Sequence, residues 1–146
     1  MSTIWILVAN QAEAQIYSAK YLHGDIKLLT ALTHEEGAAH PRDLVSDRPG
    51  RVHDRTGSGR HSMEPDTRIR EEHRRRFVKE LVVRLEAARS KGEFEQLVLI
   101  AAPAVLGEIR KTLTGGLAKA VVKEISKDVA GQDPARIRAQ LGRQQG

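Results

Sequence analysis

Two apolar runs of strand length constrain the fold of this chain more than any other feature. The first run is Ile4–Ala9, which contains Trp5, and the second is Leu97–Ala102. Each run is too short to cross a membrane, and each is apolar without a break, which indicates strands buried on both faces. A long helical pattern leads into the second run, so we predict that the two strands lie parallel and adjacent in one sheet. We also expect Trp5 in the hydrophobic core.

Three shorter strands complete the predicted sheet. Ala14–Ser18 follows the first run closely enough to pair with it as a hairpin, and Ile26–Thr33 continues as a third antiparallel strand. Ala120–Ser126 is predicted as the fifth strand. Because lysines keep one of its faces in water, we expect this strand at an edge of the sheet.

The longest helix is predicted over Ile69–Lys91. Its apolar residues recur at helical spacing on one face, which includes Phe77. Asp66 or Thr67 is the predicted N-cap, and Gly92 suits the position just past the C-terminus. We therefore expect the face that carries Phe77 to pack on the sheet.

Two shorter helices are predicted downstream. Pro103 fits the first turn of one helix, and the pair Gly115–Gly116 is predicted to end it. Asp133 is the predicted N-cap of the other helix, and Pro134 is its first residue. Apolar residues at helical spacing then give this last helix an inner face.

These elements predict an α/β fold of three layers, with a mixed five-stranded sheet and the element order β-β-β-α-β-α-β-α. This order resembles ribonuclease-H-like and ribosomal-protein-like folds. A length of 146 residues fits a single domain over 1–146, and the absence of cysteine excludes disulfides and cysteine-based chemistry. We expect a cytoplasmic protein without membrane contact, because the first apolar run has no basic residue before it and no cleavage site after it.

A long loop rich in arginine and glycine, at about 34–66, separates the third strand from the first helix. We call its stretch His40–Pro65 the arginine segment. It contains five arginines and no lysine: Arg42, Arg48, Arg51, Arg55 and Arg60. The net charge of the chain is +5, and ten of its sixteen arginines lie between 42 and 76 together with seven carboxylates. This balance favours an anionic partner, although a nucleic-acid arm is usually more purely basic.

The arginine segment contains a candidate anion site. Arginine binds phosphate or carboxylate through a planar fork that stays charged at any relevant pH, and Arg48 and Arg51 flank the turn Pro49-Gly50. The candidate anion-binding residues are Arg48, Arg51, Arg55, Arg60 and His61, and the loop motif around them adds Ser46, Asp47, Pro49 and Gly50. Alternatively, Asp43, Asp47 and Asp54 pair with these arginines and only hold the loop in shape.

A catalytic alternative uses the same segment, as a hydrolase or nuclease with its site at Asp47, His53, Asp54 and His61. Metal-dependent nucleases of the ribonuclease-H type bring several carboxylates together, normally with one inside the first strand, and Ile4–Ala9 contains none. The histidines also lack the spacing of metal ligands. The sequence therefore favours a binding protein over an enzyme, and we assign no catalytic residue, no metal and no cofactor.

Several motifs together resemble a known family. They are Trp5–Tyr17, Leu44–Arg51, Gly59–His61, Glu64–Pro65, Phe77 in its helix, and Leu97–Pro103 with Leu106–Gly107. These motifs, which span nearly the whole chain, are similar to those of the bacterial host-attachment protein family, the proteins required for attachment to host cells. In that family an acidic residue often stands where this chain has Asn10.

The resemblance implies a fold similar to the middle domain of eukaryotic-type peptide-release factors. The catalytic Gly-Gly-Gln tripeptide of that domain is absent, because Leu117 follows Gly115-Gly116 and Arg60 follows Gly57-Ser58-Gly59. Together with the arginine segment, the resemblance implies a non-enzymatic binding protein for an anion such as RNA or nucleotide phosphate. The expected partners are RNA, the ribosome or a phosphorylated small molecule.

Overall fold

The structure, a computed structural model, describes residues 3–22, 24–33 and 63–143 of the chain. Its strands are β1 (Ile4–Ala9), β2 (Glu13–Ala19), β3 (Lys27–Thr33), β4 (Gln96–Ala101) and β5 (Val121–Ser126). Its helices are α1 (Met63–Ser90), α2 (Pro103–Thr112), α3 (Gly115–Ala120) and α4 (Pro134–Arg143). The strands form one mixed sheet in the order β3-β2-β1-β4-β5, which confirms the predicted α/β class.

The pairing of the strands follows the sequence patterns. The first three strands form the predicted antiparallel meander, since β1 pairs with β2 and β2 with β3. β4 pairs with β1 in parallel, with Ile6 opposite Val98 and Ala9 opposite Ala101. The predicted adjacency of the two apolar runs is therefore confirmed. β5 pairs in parallel with β4 and forms one edge of the sheet, as predicted from its lysines.

Successive side chains of each strand point to opposite faces of the sheet, and this divides the core into two layers. Leu7 and Leu99 belong to the layer that α1, α2 and α3 cover. Ile6 and Val98 point the opposite way, into the layer that Ile137 of α4 closes. Burying each such side chain contributes about 1.5–3 kcal/mol, so both layers hold the sheet between helices. The three-layer architecture is confirmed.

α1 ends through the left-handed cap predicted at Gly92. Gly92 has a φ of 77°, and its N–H donates to the carbonyl oxygen of Arg89 at 2.9 Å. The N–H of Glu93 donates to the carbonyl oxygen of Ala88 at 3.0 Å. These two hydrogen bonds are those of a Schellman motif, which fixes the end of the helix.

The starts of α2 and α4 also agree with the sequence. Pro103 is the first residue of α2 and Pro134 is the first residue of α4. Proline suits this position because a helix makes no use of the N–H there. Oδ1 of Asp133 accepts the N–H of Ala135 at 3.3 Å, which is the N-cap contact predicted for α4.

The predicted start of α1 was wrong. The helix begins at Met63 rather than after a cap at Asp66 or Thr67, so it includes the end of the predicted loop. Pro65 lies within the first turn, where its missing N–H removes no helical hydrogen bond. Proline there is therefore compatible with an earlier start.

Two further predictions need correction. Gly115–Gly116 does not end α2; it opens the short helix α3, in which Leu117 is buried. Gly115 has a φ of 57°, which lets the chain turn sharply after α2 and then wind into a helix. Trp5 is only half-buried, because its indole stacks on the ring of Phe94 near the edge of the core, with centroids 4.8 Å apart.

Candidate functional site

The predicted site residues of the loop lie outside the described residues. They are the candidate anion-binding residues and loop motif, Arg48, Arg51, Arg55, Arg60, His61, Ser46, Asp47, Pro49 and Gly50, and also His53 and Asp54 of the catalytic alternative. Their roles stay predictions. The described residues that continue the charge of the arginine segment along the chain lie on α1.

The early turns of α1 are strongly basic. We call residues 67–76 the basic segment of α1; it contains five arginines and two glutamates. None of its residues is buried. The sequence explains this exposure, because Ile69 is its only large apolar residue and a single apolar residue makes no stripe that can pack on the sheet.

Arg74 has the most unusual environment in the basic segment. Its side chain is half-buried, and its Nε atom is buried without a hydrogen-bond acceptor. No other buried side-chain nitrogen or oxygen in the described part of the chain lacks a partner. A guanidinium has donors only, and leaving a buried donor without an acceptor costs about 1–3 kcal/mol. The chemical group that best satisfies this N–H is an anionic oxygen.

Arg70 lies four residues before Arg74 and therefore shares its face of α1. Two like charges at this spacing destabilise a helix by about 0.2–0.5 kcal/mol. The ion pairs among the described residues include neither of them, nor Arg68 or Arg75. This face of the helix can therefore bind an anion through two guanidinium forks without breaking an internal ion pair.

A second polar cluster lies where β1 and β5 end. Nδ2 of Asn10 donates to Oδ1 of Asp128 at 3.1 Å, which joins the two strand ends. Oδ1 of Asn10 accepts the N–H groups of Ala12 at 2.8 Å and Glu13 at 2.9 Å, which holds the tight link from β1 to β2. The amide thus has partners on both of its polar atoms. An acidic residue at this position would keep the two accepted bonds and lose the donor to Asp128.

Gln15 extends this cluster across the sheet. It is a buried polar residue, 7% exposed. Its Oε1 accepts the N–H of Gly131 at 2.8 Å, and its Nε2 donates to Oε1 of Glu13 at 3.1 Å. Gly131 has a φ of 82°, and a Cβ there would lie 2.7 Å from Oε2 of Glu13, so glycine is required. The cluster anchors the turn before α4 to β2, which is a structural role.

Tyr17 lies beside this cluster on the side of the sheet that α4 covers. Burial raises the pKa of its hydroxyl above the ordinary value, and the negative charge of Asp133 raises that pKa further. The hydroxyl therefore stays protonated at neutral pH and does not act as a base there.

The described ranges contain neither a metal-binding group nor a membrane-spanning helix. Within residues 3–22, 24–33 and 63–143, no group of three or more His, Asp or Glu side chains is placed to hold a metal ion. In the same part of the chain, no helix combines the length and the apolar composition that crossing a membrane requires.

The sequence singles out the run Arg74–Arg76 of the basic segment but not the distinctive environment of Arg74. A run of this kind, Arg74–Arg76, is usually a solvated positive face of a helix. Alternatively, it extends the anion site of the loop. Nothing in the local sequence distinguishes Arg74 from Arg75, because the burial of the Arg74 Nε depends on packing. Gln15 did have a signal, since it is a polar residue between Ala14 and Ile16 in an apolar strand.

Comparison with known proteins gives two findings. A family model described as "Protein required for attachment to host cells" matches residues 5–141, which is most of the chain. An uncharacterized protein of Rickettsia prowazekii (strain Madrid E) is similar to this chain, with 34% identity over 68 residues. The aligned part is 45% of this chain and 45% of the Rickettsia protein, so the chain matches less than half of that relative's length.

Proposed function

The chain belongs to the family of proteins required for attachment to host cells, and from that premise we propose that it is a non-enzymatic protein that binds phosphate through arginine. The ligand is the phosphate of an RNA strand or of a nucleotide. The binding residues are Arg48 and Arg51 of the arginine segment together with Arg70 and Arg74 of the basic segment.

The buried Nε of Arg74 is the observation that carries this proposal. The Arg74 side chain must turn outward to expose its Nε, and one phosphate, which has several anionic oxygens, can then accept hydrogen bonds from Arg74 and Arg70 at once. Its charge would also offset the repulsion between these two cations. Phosphate binding would therefore relieve two unfavourable features of the same helix face.

The order of the chain supports a common site for the two groups of arginines. α1 begins at Met63, so the arginine segment leads into the basic segment without an intervening element. Both groups consist of arginine rather than lysine, which suits bidentate binding of phosphate. A phosphate strand longer than one nucleotide would contact both groups.

Binding of a fluorescein-labelled single-stranded RNA to the full chain tests the proposal. Arg74→Ala should weaken binding roughly tenfold or more, because hydrogen bonds to charged groups contribute about 1.5–3 kcal/mol. Arg48→Lys keeps the charge and loses the fork, so it should also weaken binding. Arg136→Ala is the matched control, since Arg136 is an exposed helical arginine on α4, across the sheet. It should leave the affinity unchanged.

Three other results would contradict or redirect the proposal. Equal losses in Arg74→Ala and Arg136→Ala would mean that binding follows net charge alone. Competition by inorganic phosphate or ATP at the same concentration as unlabelled RNA would assign the site to a small phosphorylated ligand rather than to a strand. Cleavage of the labelled RNA that His61→Ala abolishes would favour the nuclease alternative over a binding protein.

A further inference from the structure

A groove lies between the edge strand β3 and one flank of α1. Its main cavity has a volume of about 620 Å³. Leu32 lines this cavity on the β3 side, and Val83 lines it on the α1 side. A second cavity of about 240 Å³ shares Arg84 and Ala87 with the first and continues to Lys91. We call the two cavities together the α1–β3 groove.

The strand beside this groove has an edge that can accept another strand. Among the described residues β3 pairs with β2 alone, so no described strand occupies its outer edge. β3 contains one charge, Lys27, and no proline, so it lacks most of the features by which edge strands avoid pairing. Leu28 is 51% exposed and Leu29 is 43% exposed. Edges of this kind bind extended peptides through main-chain hydrogen bonds.

The helix wall of the groove is cationic. Lys79, Arg84 and Lys91 are exposed, and none of them belongs to an ion pair in the described part of the chain. Glu80 is the acidic residue of the main cavity, and Glu93 lies at the far end of the second. The wall is therefore complementary to an acidic ligand.

The length of the groove matches that of a strand. From Arg76 to Lys91 the helix wall is about 22 Å long, at a rise of 1.5 Å per residue. An extended chain of about seven residues has the same length, at 3.3 Å per residue. β3 itself has 7 residues, so a strand of equal length would pair along all of it.

We propose that the α1–β3 groove binds an extended acidic segment of a partner protein, which adds to the sheet beside β3. Apolar side chains of the segment contact Leu32 and Val83, and its carboxylates contact Lys79 and Arg84. A second copy of this chain is a poorer occupant, because it would bring the same cations against this wall. The inference is independent of the phosphate proposal, since Arg74 does not line the groove.

Three labelled peptides as long as β3 test this inference by fluorescence anisotropy. In the first, valine and glutamate alternate along one face of the strand and threonine occupies the other face. The second has lysine in place of each glutamate, and the third is the first with alternate backbone nitrogens methylated. The first peptide should bind the full chain, and the other two should bind about tenfold more weakly or not at all. Methylation removes main-chain donors without changing the charge, so it tests strand pairing separately from electrostatics.

Two pairs of variants assign the binding to the groove. The double change Lys79→Glu with Arg84→Glu should weaken the glutamate peptide about tenfold, whereas Lys111→Glu with Lys119→Glu changes the same charge elsewhere and should have no such effect. Val83→Asp should weaken the same peptide. Its control is Val122→Asp at the β5 edge, because Val83 is 61% exposed and Val122 is 47% exposed. Both aspartates replace exposed side chains, so the fold should survive.

Other outcomes would overturn the inference. Equal binding of the glutamate and lysine peptides would exclude the cationic wall as the determinant. Full binding of the methylated peptide would exclude pairing with β3. A concentration-dependent dimer in sedimentation that Val83→Asp abolishes, without peptide binding, would assign the groove to a second copy of the chain.

Discussion

The two parts of α1 differ in burial and in composition. In the basic segment, residues 67–76, no side chain is buried. In the remainder, residues 77–90, which we call the core segment, Phe77, Val78, Leu81, Leu85 and Ala88 are all buried against the sheet. The same helix thus changes from a polar surface to a core element within one turn.

One arginine of each segment shows a difference in hydrogen bonding. In the core segment, Nη2 of Arg89 lies 2.7 Å from Oε2 of Glu86. In the basic segment, Arg74 has a buried Nε with no acceptor. The core segment stabilises the fold. Arg70 and Arg74, two of the residues proposed to bind phosphate, lie in the basic segment.

The largest expected effect is on stability in the core segment. Phe77→Ala should lower the free energy of unfolding by roughly 3–5 kcal/mol, because it leaves a cavity in a packed core. Ile69→Ala is the matched change in the basic segment, where the side chain is 46% exposed, and it should cost less than about 1 kcal/mol. Urea melts of both variants measure the difference. Similar losses of unfolding free energy in the two variants would contradict the distinction between a buried core segment and an exposed basic segment.

The next largest effect concerns binding rather than stability. Arg70→Glu combined with Arg74→Glu should lower the affinity for single-stranded RNA roughly a hundredfold, about 2.8 kcal/mol, because two attractive contacts become repulsive. The free energy of unfolding should fall by no more than about 1 kcal/mol, since neither side chain belongs to the core and the change removes the unpaired buried Nε. Anisotropy titrations and urea melts on the same samples separate the two quantities. Unfolding of the variant would show that the basic segment has a structural role after all.

The end of the core segment allows a test with two glycines. Gly92→Ala should destabilise the chain by about 1 kcal/mol or more, because alanine is strained at positive φ. Gly107→Ala lies inside α2 and should stabilise it by roughly 0.5–1 kcal/mol. A Cβ at either position meets nothing within 4 Å, so the backbone angle alone explains the opposite signs. Thermal melts that shift in the same direction would contradict the cap assignment.

The smallest expected effect concerns pH and the ion pair of the core segment. The hydrogen bond from Arg89 lowers the pKa of Glu86 below its ordinary value. A lowered folded-state pKa stabilises the fold above the ordinary glutamate pKa, and this contribution is lost as the pH falls through the lowered pKa. The difference in melting temperature between the native chain and Glu86→Gln should therefore shrink between about pH 7 and pH 3. A constant difference over that range would mean that the pair does not contribute through its charge.

Much of the fold could be predicted because its signals are local. The apolar runs at β1 and β4 have strand length, and the helical pattern between them indicates a parallel crossover. Gly92 and Asp133 were identified by residue type, because caps depend on the chemistry of one or two residues. These features do not depend on distant parts of the chain.

The errors occur where local signals are weak or ambiguous. The first turns of α1 are polar, so they lack the apolar residues at helical spacing that indicate a helix. A plausible cap at Asp66 or Thr67 therefore suggested a later start. Gly115–Gly116 is typical of a helix end, but only one of its φ angles is positive and the next residues form α3. The α1–β3 groove arises from packing between distant elements, which composition does not report. The burial of the Arg74 Nε is likewise a property of the folded chain.

The salt dependence of RNA binding tests the central claim most directly. If the four proposed arginines contact phosphate, the slope of log K against log salt should be about −3, at roughly −0.7 per contact for a single strand. Arg74→Ala should reduce the magnitude of the slope by about 0.7, and Arg136→Ala should leave it unchanged. Anisotropy titrations at several salt concentrations give all three slopes. An affinity that does not depend on salt, or equal slopes for the native chain and Arg74→Ala, would contradict phosphate binding by the basic segment.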